Sequence, residues 1–278
     1  MTFSPDQNPR ILLNNGQVLP QLGLGLYKVG QDIGVELVQA AVEAGYRRFD
    51  TAALYDNEFE VGAGLRKCGL PREDLFVTTK IWNDRHGLDN ATEAIDESLD
   101  RLNIEYIDML LIHWPCPMKG LFVETWEALE KALESGKVRG IGVSNFHQNH
   151  LEELIANSSV VPALNQIELH PGLQQRELSS FNASAGIATE AWSPLARGRF
   201  NDNETLLGIA YKHSRSISQV ILRWQIELGN LVIPKTSNPD RLAENIDVFD
   251  FSLDHEDLQQ IASLESGLRT GPNPEEFS

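Results

Sequence analysis

The chain has 278 residues, 41% hydrophobic and 23% charged, with 23 Lys+Arg against 40 Asp+Glu and a formal charge of −17. That length and mix allow a sizeable core and exclude a disordered chain or a minimal module. The charge excludes nucleic acid and anionic membrane surfaces as partners by long-range repulsion, while leaving room for one small anion held by local cations.

A hairpin is expected first, over residues 10–19, with Asn15-Gly16 as a two-residue type I′ turn. After it, eight short apolar runs follow one another: residues 22–26, 46–50, 75–80, 106–113, 138–144, 163–166, 187–192 and 231–235. They are β-branched or Leu-rich, as parallel strands buried on both faces require. Amphipathic stretches at 33–44, 91–102, 123–133, 149–155, 177–185 and 216–228 alternate with them. Gly45, Gly136, Gly186 and Gly229 stand where helices should end, and Asn57 and Ser218 where helices should begin. Strand–helix units of roughly 30 residues predict an α/β chain folded as a (β/α)8 TIM barrel, with the hairpin covering the barrel floor. A doubly wound sheet would want G-x-G-x-x-G after its first strand, and Gly23-Leu24-Gly25 does not continue that way. No linker interrupts the pattern, so residues 1–278 read as one domain with a polar tail over 270–278. Two cysteines, Cys68 and Cys116, make neither a disulfide framework nor a metal motif. No segment is a membrane span, and the polar N-terminus through Arg10 has no signal-peptide centre, so a cytoplasmic monomer is expected.

In such a barrel the chemistry sits at the C-terminal ends of the strands. Those ends carry Asp50, Lys80, His113, Ser144-Asn145, Gln166, Trp192-Ser193 and Lys235, with Tyr55 in the loop after Asp50. Taken singly, Asp50 and Lys80 also read as a structural ion pair, Tyr55 as a packing tyrosine and His113 as a satisfied core histidine. Their common location at one mouth favours chemistry. A free phenol titrates at about 10 and needs a neighbouring ammonium to stabilise its anion. Lys80 supplies that charge, Asp50 holds Lys80, and His113 donates to a substrate oxygen. This set protonates a carbonyl oxygen while a hydride reaches the carbon, and since no side chain supplies hydride, a nicotinamide cofactor is implied. Ser144, Asn145 and Gln166 offer groups for a carboxamide, and Trp192 a flat face for its ring. Further on, Lys235-Thr236-Ser237-Asn238-Pro239-Asp240-Arg241 leaves the last strand and enters a helix. Its cations and free N–H groups suit a 2′-phosphate, hence NADP(H), with Glu244 nearby.

The residues resemble the aldo-keto reductase family, in its short-loop bacterial members of the 2,5-diketo-D-gluconate reductase type. The motifs are Gly45-Tyr46-Arg47-Arg48-Phe49-Asp50-Thr51-Ala52 with Tyr55 and Asn57-Glu58, Thr78-Thr79-Lys80-Ile81-Trp82-Asn83, and Leu111-Ile112-His113-Trp114-Pro115. They continue as Gly140-Ile141-Gly142-Val143-Ser144-Asn145-Phe146, Asn165-Gln166-Ile167-Glu168-Leu169-His170-Pro171, Glu190-Ala191-Trp192-Ser193-Pro194-Leu195 and Ile233-Pro234-Lys235. The resemblance implies a catalytic tetrad of Asp50, Tyr55, Lys80 and His113, with Tyr55 as general acid. It implies NADPH extended across the mouth. Ser144, Asn145 and Gln166 would hold its carboxamide, Trp192 its ring, and Ser193 and Leu195 its pyrophosphate. Lys235, Ser237 and Arg241 would hold its 2′-phosphate, and Glu244 and Asn245 would lie by the adenine; Gly25, Leu26 and Thr236 complete the expected contacts. Tyr27, Trp82, His113 and Trp114 would meet a small carbonyl substrate: a keto-sugar acid, a dicarbonyl or a xenobiotic aldehyde. Arg48 stands where the family usually has His or a small residue, and Asp56 replaces a common Gly; neither is expected to touch the tetrad. With so short a tail the pocket is expected to be open. The alternative from another class is a redox-sensing regulatory protein that binds NADPH and turns over little; an unrelated sugar-phosphate isomerase barrel is the second.

Overall fold

The computed structural model describes residues 7–278; the polar stretch 1–6 lies outside the described residues. Strands β1 (Arg10–Leu12) and β2 (Val18–Pro20) pair antiparallel. Their turn differs from the expected two-residue type. Gly16 N–H donates to Leu13 O at 3.0 Å, and in this turn only Gly16, at φ +84°, is left-handed. The loop is therefore a type I turn closed by a glycine bulge, which leaves Asn15 in ordinary conformation. The hairpin lies across the strand N-termini: Gln17 donates to Asp108 O and Asn14 to Pro162 O. It thus covers the floor.

The barrel strands are β3 (Leu24–Gly25), β4 (Arg48–Asp50), β5 (Phe76–Ile81), β6 (Met109–Ile112), β7 (Ile141–Ser144), β8 (Leu164–Glu168), β9 (Ala188–Trp192) and β10 (Leu231–Val232). They pair in sequence order, all parallel. Closure runs through Gly23 N–H to Val232 O (2.8 Å), Val232 N–H to Gln21 O (2.9 Å) and Gly25 N–H to Pro234 O (3.1 Å). The eight expected strands and the (β/α)8 class are therefore observed, with shorter first and last strands.

Between the strands lie α1 (Gln31–Glu43), α2 (Glu58–Lys67), α3 (Leu88–Leu102), α4 (Phe122–Glu134), α5 (Gln148–Ala156) and α6 (Arg176–Ser184). After β9 come α7 (Glu204–His213) and α8 (Ile217–Glu227), and after β10 come α9 (Asp240–Ile246) and α10 (His255–Ala262). Gly45, Gly136, Gly186 and Gly229 end helices at positive φ, as the sequence pattern requires. Of the two expected N-caps, Asn57 stands at the N-cap position of α2 without a side-chain cap bond, and Ser218 is corrected. Ser216, not Ser218, caps α8 in a reciprocal capping box with Gln219. Asn57 precedes α2 but its amide donates to Leu26 O and Val29 O, which pins the loop carrying Tyr55.

Side chains alternate along each strand. On β4, Phe49 joins the core under the helices while Arg48 and Asp50 turn inward; on β5, Val77 and Ile81 pack outward while Lys80 turns inward. Apolar Leu13, Leu19, Phe76, Met109, Leu111, Leu164 and Leu231 fill the lower interior. Charged and polar side chains occupy the layers above. The sequence reading gave α2 a start at Asn57 but no span, because its interior glycines blur the helical pattern. Gly62 is there for contact: a Cβ would lie 1.8 Å from Leu102 O on α3. Gly62→Ala is expected to destabilise by about 3 kcal/mol through overpacking. Urea unfolding should show a lower midpoint with an unchanged m-value.

Candidate active site at the barrel mouth

The four residues of the expected tetrad converge. Lys80 is fully buried, with Nζ 2.5 Å from Asp50 Oδ1, 2.8 Å from Thr51 O and 3.5 Å from Tyr55 Oη. Tyr55 and His113 rings stand 5.8 Å apart. Burial opposes the charge on Lys80, but Asp50, Tyr55 and Glu190 outweigh it and raise its pKa, so the ammonium is retained. Burial raises Asp50 against the pull of that ammonium. Burial also dominates at Tyr55, whose phenol is pushed up to about 12 despite Lys80. The expectation that Lys80 makes it more acidic is thus met only in part: Tyr55 keeps its proton throughout the neutral range. Burial, with Lys80 nearby, pushes His113 far below the usual imidazole range, so it is a neutral hydrogen-bonding group.

Two departures noted in the sequence have clear settings. Asp56 is left-handed at φ +53°, a conformation that glycine adopts freely and Asp tolerates, and Gln31 anchors it by donating to Asp56 O and Oδ2. Arg48 does not contact the tetrad. It pairs with buried Glu190, whose Oε2 accepts from Gln166 Nε2, and the same Nε2 donates to Asp50 Oδ2.

The cavity over the tetrad has a volume of about 300 Å3. Of the expected residues it is lined by Gly25, Tyr27, Asp50, Tyr55, Trp82, His113, Trp114, Ser144, Asn145, Gln166, Trp192, Ser193 and Lys235. Leu26 lies outside the lining: its side chain is fully buried in the core, and its backbone N–H donates to Asp50 O. Leu195 packs against the core, and Thr236, Ser237, Arg241, Glu244 and Asn245 stand beyond the cavity, in the loop after β10 and on α9. Thr236 spends its hydroxyl on Asn238 backbone, and Asn245 is buried. Asn145 is largely committed within the protein. Its Nδ2 donates to His113 O and Ser144 Oγ, and its Oδ1 accepts from Trp192 Nε1.

Leu54, Arg197, Ile233, Pro272 and Phe277 also line the cavity and were not foreseen. The rim is open where Tyr27 and Leu54 are exposed and is covered on one side only. The tail folds over it, with the Phe277 ring 4.6 Å from Trp114 and 6.2 Å from Trp82. Buried Glu168 holds the tail, accepting from Thr270 N–H (2.6 Å), Thr270 Oγ1 (2.6 Å) and Gly271 N–H (3.1 Å). Burial opposes the charge on Glu168, but bonds from His170, Thr270 and Gly271 hold it below the ordinary glutamate range. Nothing in residues 270–278 signalled this; the buried acid in Asn165-Gln166-Ile167-Glu168 was the available clue.

An ammonium-backed phenol and a neutral imidazole under one cavity, with Arg197 and Lys235 on its wall, define a barrel oxidoreductase of carbonyl compounds. The sequence model of the aldo/keto reductase family matches residues 21–266. An aldo-keto reductase of Mycolicibacterium smegmatis is 49% identical over 271 residues, covering 98% of each chain. A glyoxal reductase of Bacillus subtilis is 47% identical over 268 residues, covering 96% of each. A crystal structure of a Gox0644 variant in complex with NADPH superposes with a TM-score of 0.93 at 45% identity, covering 98% of this chain and 99% of the other. This chain belongs to the aldo/keto reductase family. It is an NADP(H)-dependent oxidoreductase that reduces aldehydes and ketones, not a regulatory protein of little turnover.

The Glu168 clamp is open to direct measurement. Glu168→Gln is expected to speed amide exchange at Thr270 and Gly271 about tenfold, the loss of a charge-assisted bond. Exchange in β5 should stay unchanged.

Proposed function

We propose that Tyr55 is the general acid of this reductase and that Lys80, Asp50 and His113 serve it. The observation that carries this reading is the Tyr55 hydroxyl 3.5 Å from the Lys80 ammonium under the cavity. Bound NADPH supplies a hydride from nicotinamide C4. Tyr55 gives its proton to the carbonyl oxygen, and Lys80 stabilises the phenolate left behind. Asp50 fixes Lys80 in place. His113, uncharged, orients the carbonyl without competing as an acid.

The mouth fits the cofactor. A Cβ on Gly25 would lie 2.9 Å from Ile233 O, so glycine keeps the strand ends close and the cavity floor smooth. Burial and nearby Lys28 lower the pKa of Lys235, a cation that an added phosphate would relieve. Lys235, Ser237 and Arg241 take the 2′-phosphate, and Glu244 and Asn245 lie near the adenine. Ser193, Leu195 and Arg197 line the pyrophosphate. Gln166 with Ser144 and Asn145 holds the carboxamide, and Trp192 supports the ring.

The substrate is a short, uncharged carbonyl compound such as an α-oxoaldehyde. The cavity is lined by Tyr27, Leu54, Trp82, Trp114 and Phe277, an apolar and aromatic set that suits a small carbonyl compound better than a polyhydroxylated keto-sugar acid. A 47%-identical relative is named a glyoxal reductase. The charge of −17 and free Cys68 and Cys116, the latter buried with its thiol pushed up to about 11, suit a cytoplasmic monomer that binds no nucleic acid. The whole chain, 1–278, works as one catalytic unit. No helix among the described residues is long and apolar enough to cross a membrane.

Tyr55→Phe should lower kcat for methylglyoxal about a thousandfold while leaving the NADPH dissociation constant unchanged. Wild-type turnover by the variant would defeat the assignment. Arg241→Ala should weaken NADPH binding about tenfold and leave NADH binding unaltered, as followed by tryptophan fluorescence. Equal losses for both would defeat the 2′-phosphate site.

A further inference from the structure

Beneath the tetrad lies a second buried ion pair that the reaction does not use. Arg48 and Glu190 are each 1% exposed, and Gln166 is 2% exposed. Arg48 Nη1 donates to Glu190 Oε1, and its Nη2 donates to Gln21 O (2.8 Å) and Val232 O (2.9 Å), so the guanidinium is fastened to the barrel wall. Glu190 Oε2 accepts from Gln166 Nε2 at 2.6 Å, and Asp50 Oδ2 accepts from the same nitrogen at 2.8 Å.

A side-chain amide nitrogen has two hydrogens, and both are spent here on carboxylates. Turning the amide over would set its oxygen against two buried anions without a donor, an arrangement strongly opposed in a dry interior. The amide therefore has one orientation, with Oε1 directed away from both acids. Asp50 alone would use one N–H and leave the other free. We infer that Glu190, charge-balanced by Arg48, is a positioning residue that locks Gln166 with its carbonyl oxygen presented as an acceptor to the cofactor carboxamide. The inference rests on the proposed role of Gln166 toward that carboxamide. It also accounts for Arg48, the departure from the family pattern, whose cation lets a second carboxylate stand in the interior beside Asp50.

The lock predicts which cofactor group is recognised. An amide oxygen accepts from the carboxamide N–H and has nothing to offer an acetyl group in its place. The experiment compares dissociation constants of NADP+ and its 3-acetylpyridine analogue, which keeps the C=O and lacks the N–H donors, by tryptophan fluorescence. Wild type should prefer NADP+ by about tenfold, the worth of one oriented hydrogen bond. Gln166→Met should erase the preference. In Glu190→Gln, Arg48 claims the new amide oxygen, so the new N–H2 faces Gln166 and opposes the orientation that Asp50 alone still favours; the preference should fall. Because this variant leaves Arg48 without a counterion, the charge-neutral pair Arg48→Met with Glu190→Met is measured beside it and should also lower the preference. A merely structural role would weaken both ligands equally and leave their ratio at the wild-type value. If Gln166→Met loses the preference and both Glu190 variants keep it, the lock is wrong and the role of Gln166 stands. If Gln166→Met keeps it, the role of Gln166 fails, and the lock with it.

Discussion

The site depends on keeping an ammonium inside a protein core. Lys80 is fully buried, and an isolated charge there would give up its proton. Asp50 at 2.5 Å prevents this, with Thr51 O taking a second hydrogen. The same strand places Arg48 two residues before Asp50, on the same inward face. Glu190 answers Arg48 from a strand far along the chain. Two cations and two carboxylates thus share one interior, joined by the Gln166 amide. Removing one member would leave an uncompensated charge, at a cost of about 3–5 kcal/mol for a buried pair. Within that frame the phenol of Tyr55 keeps its proton beside the buried ammonium.

The mouth is organised by two chain segments from opposite ends of the sequence. The loop pinned by Asn57 and Gln31 sets Tyr55, and the tail clamped by Glu168 brings Phe277 against Trp82 and Trp114. The tail side of the cavity is therefore aromatic. Its lining also carries Arg197 and Lys235, neither in an ion pair among the described residues. In a chain of −17 those cations are a local reversal of sign at the mouth.

Much of this was legible in the sequence. Strand runs of four to eight residues alternating with helical periods point to a parallel sheet buried on both faces, and their number with the absent G-x-G-x-x-G favours a barrel over a doubly wound sheet. The polar residues at their C-terminal ends, Asp50, Lys80, His113 and Gln166, followed once the barrel was assumed, since its strands deliver their ends to one rim. Arg48 and Glu190 were accessible by the same period of two, each lying two residues before a recognised mouth position, yet their pairing was not. Cross-barrel contacts depend on strand order and closure, which no local pattern encodes.

What the sequence by itself determined was the kind of fold, the family and the polar residues that the strand ends bring to one mouth. Tertiary structure alone decided that the tail covers one side of the rim, because Glu168 meets Thr270 about a hundred residues later through backbone N–H groups that every residue type except proline possesses. It alone decided that burial outweighs Lys80 in setting the Tyr55 phenol, because solvent exclusion is a property of the assembled cavity. It decided, too, which way the Gln166 amide faces, because that orientation is imposed by carboxylates from two other strands.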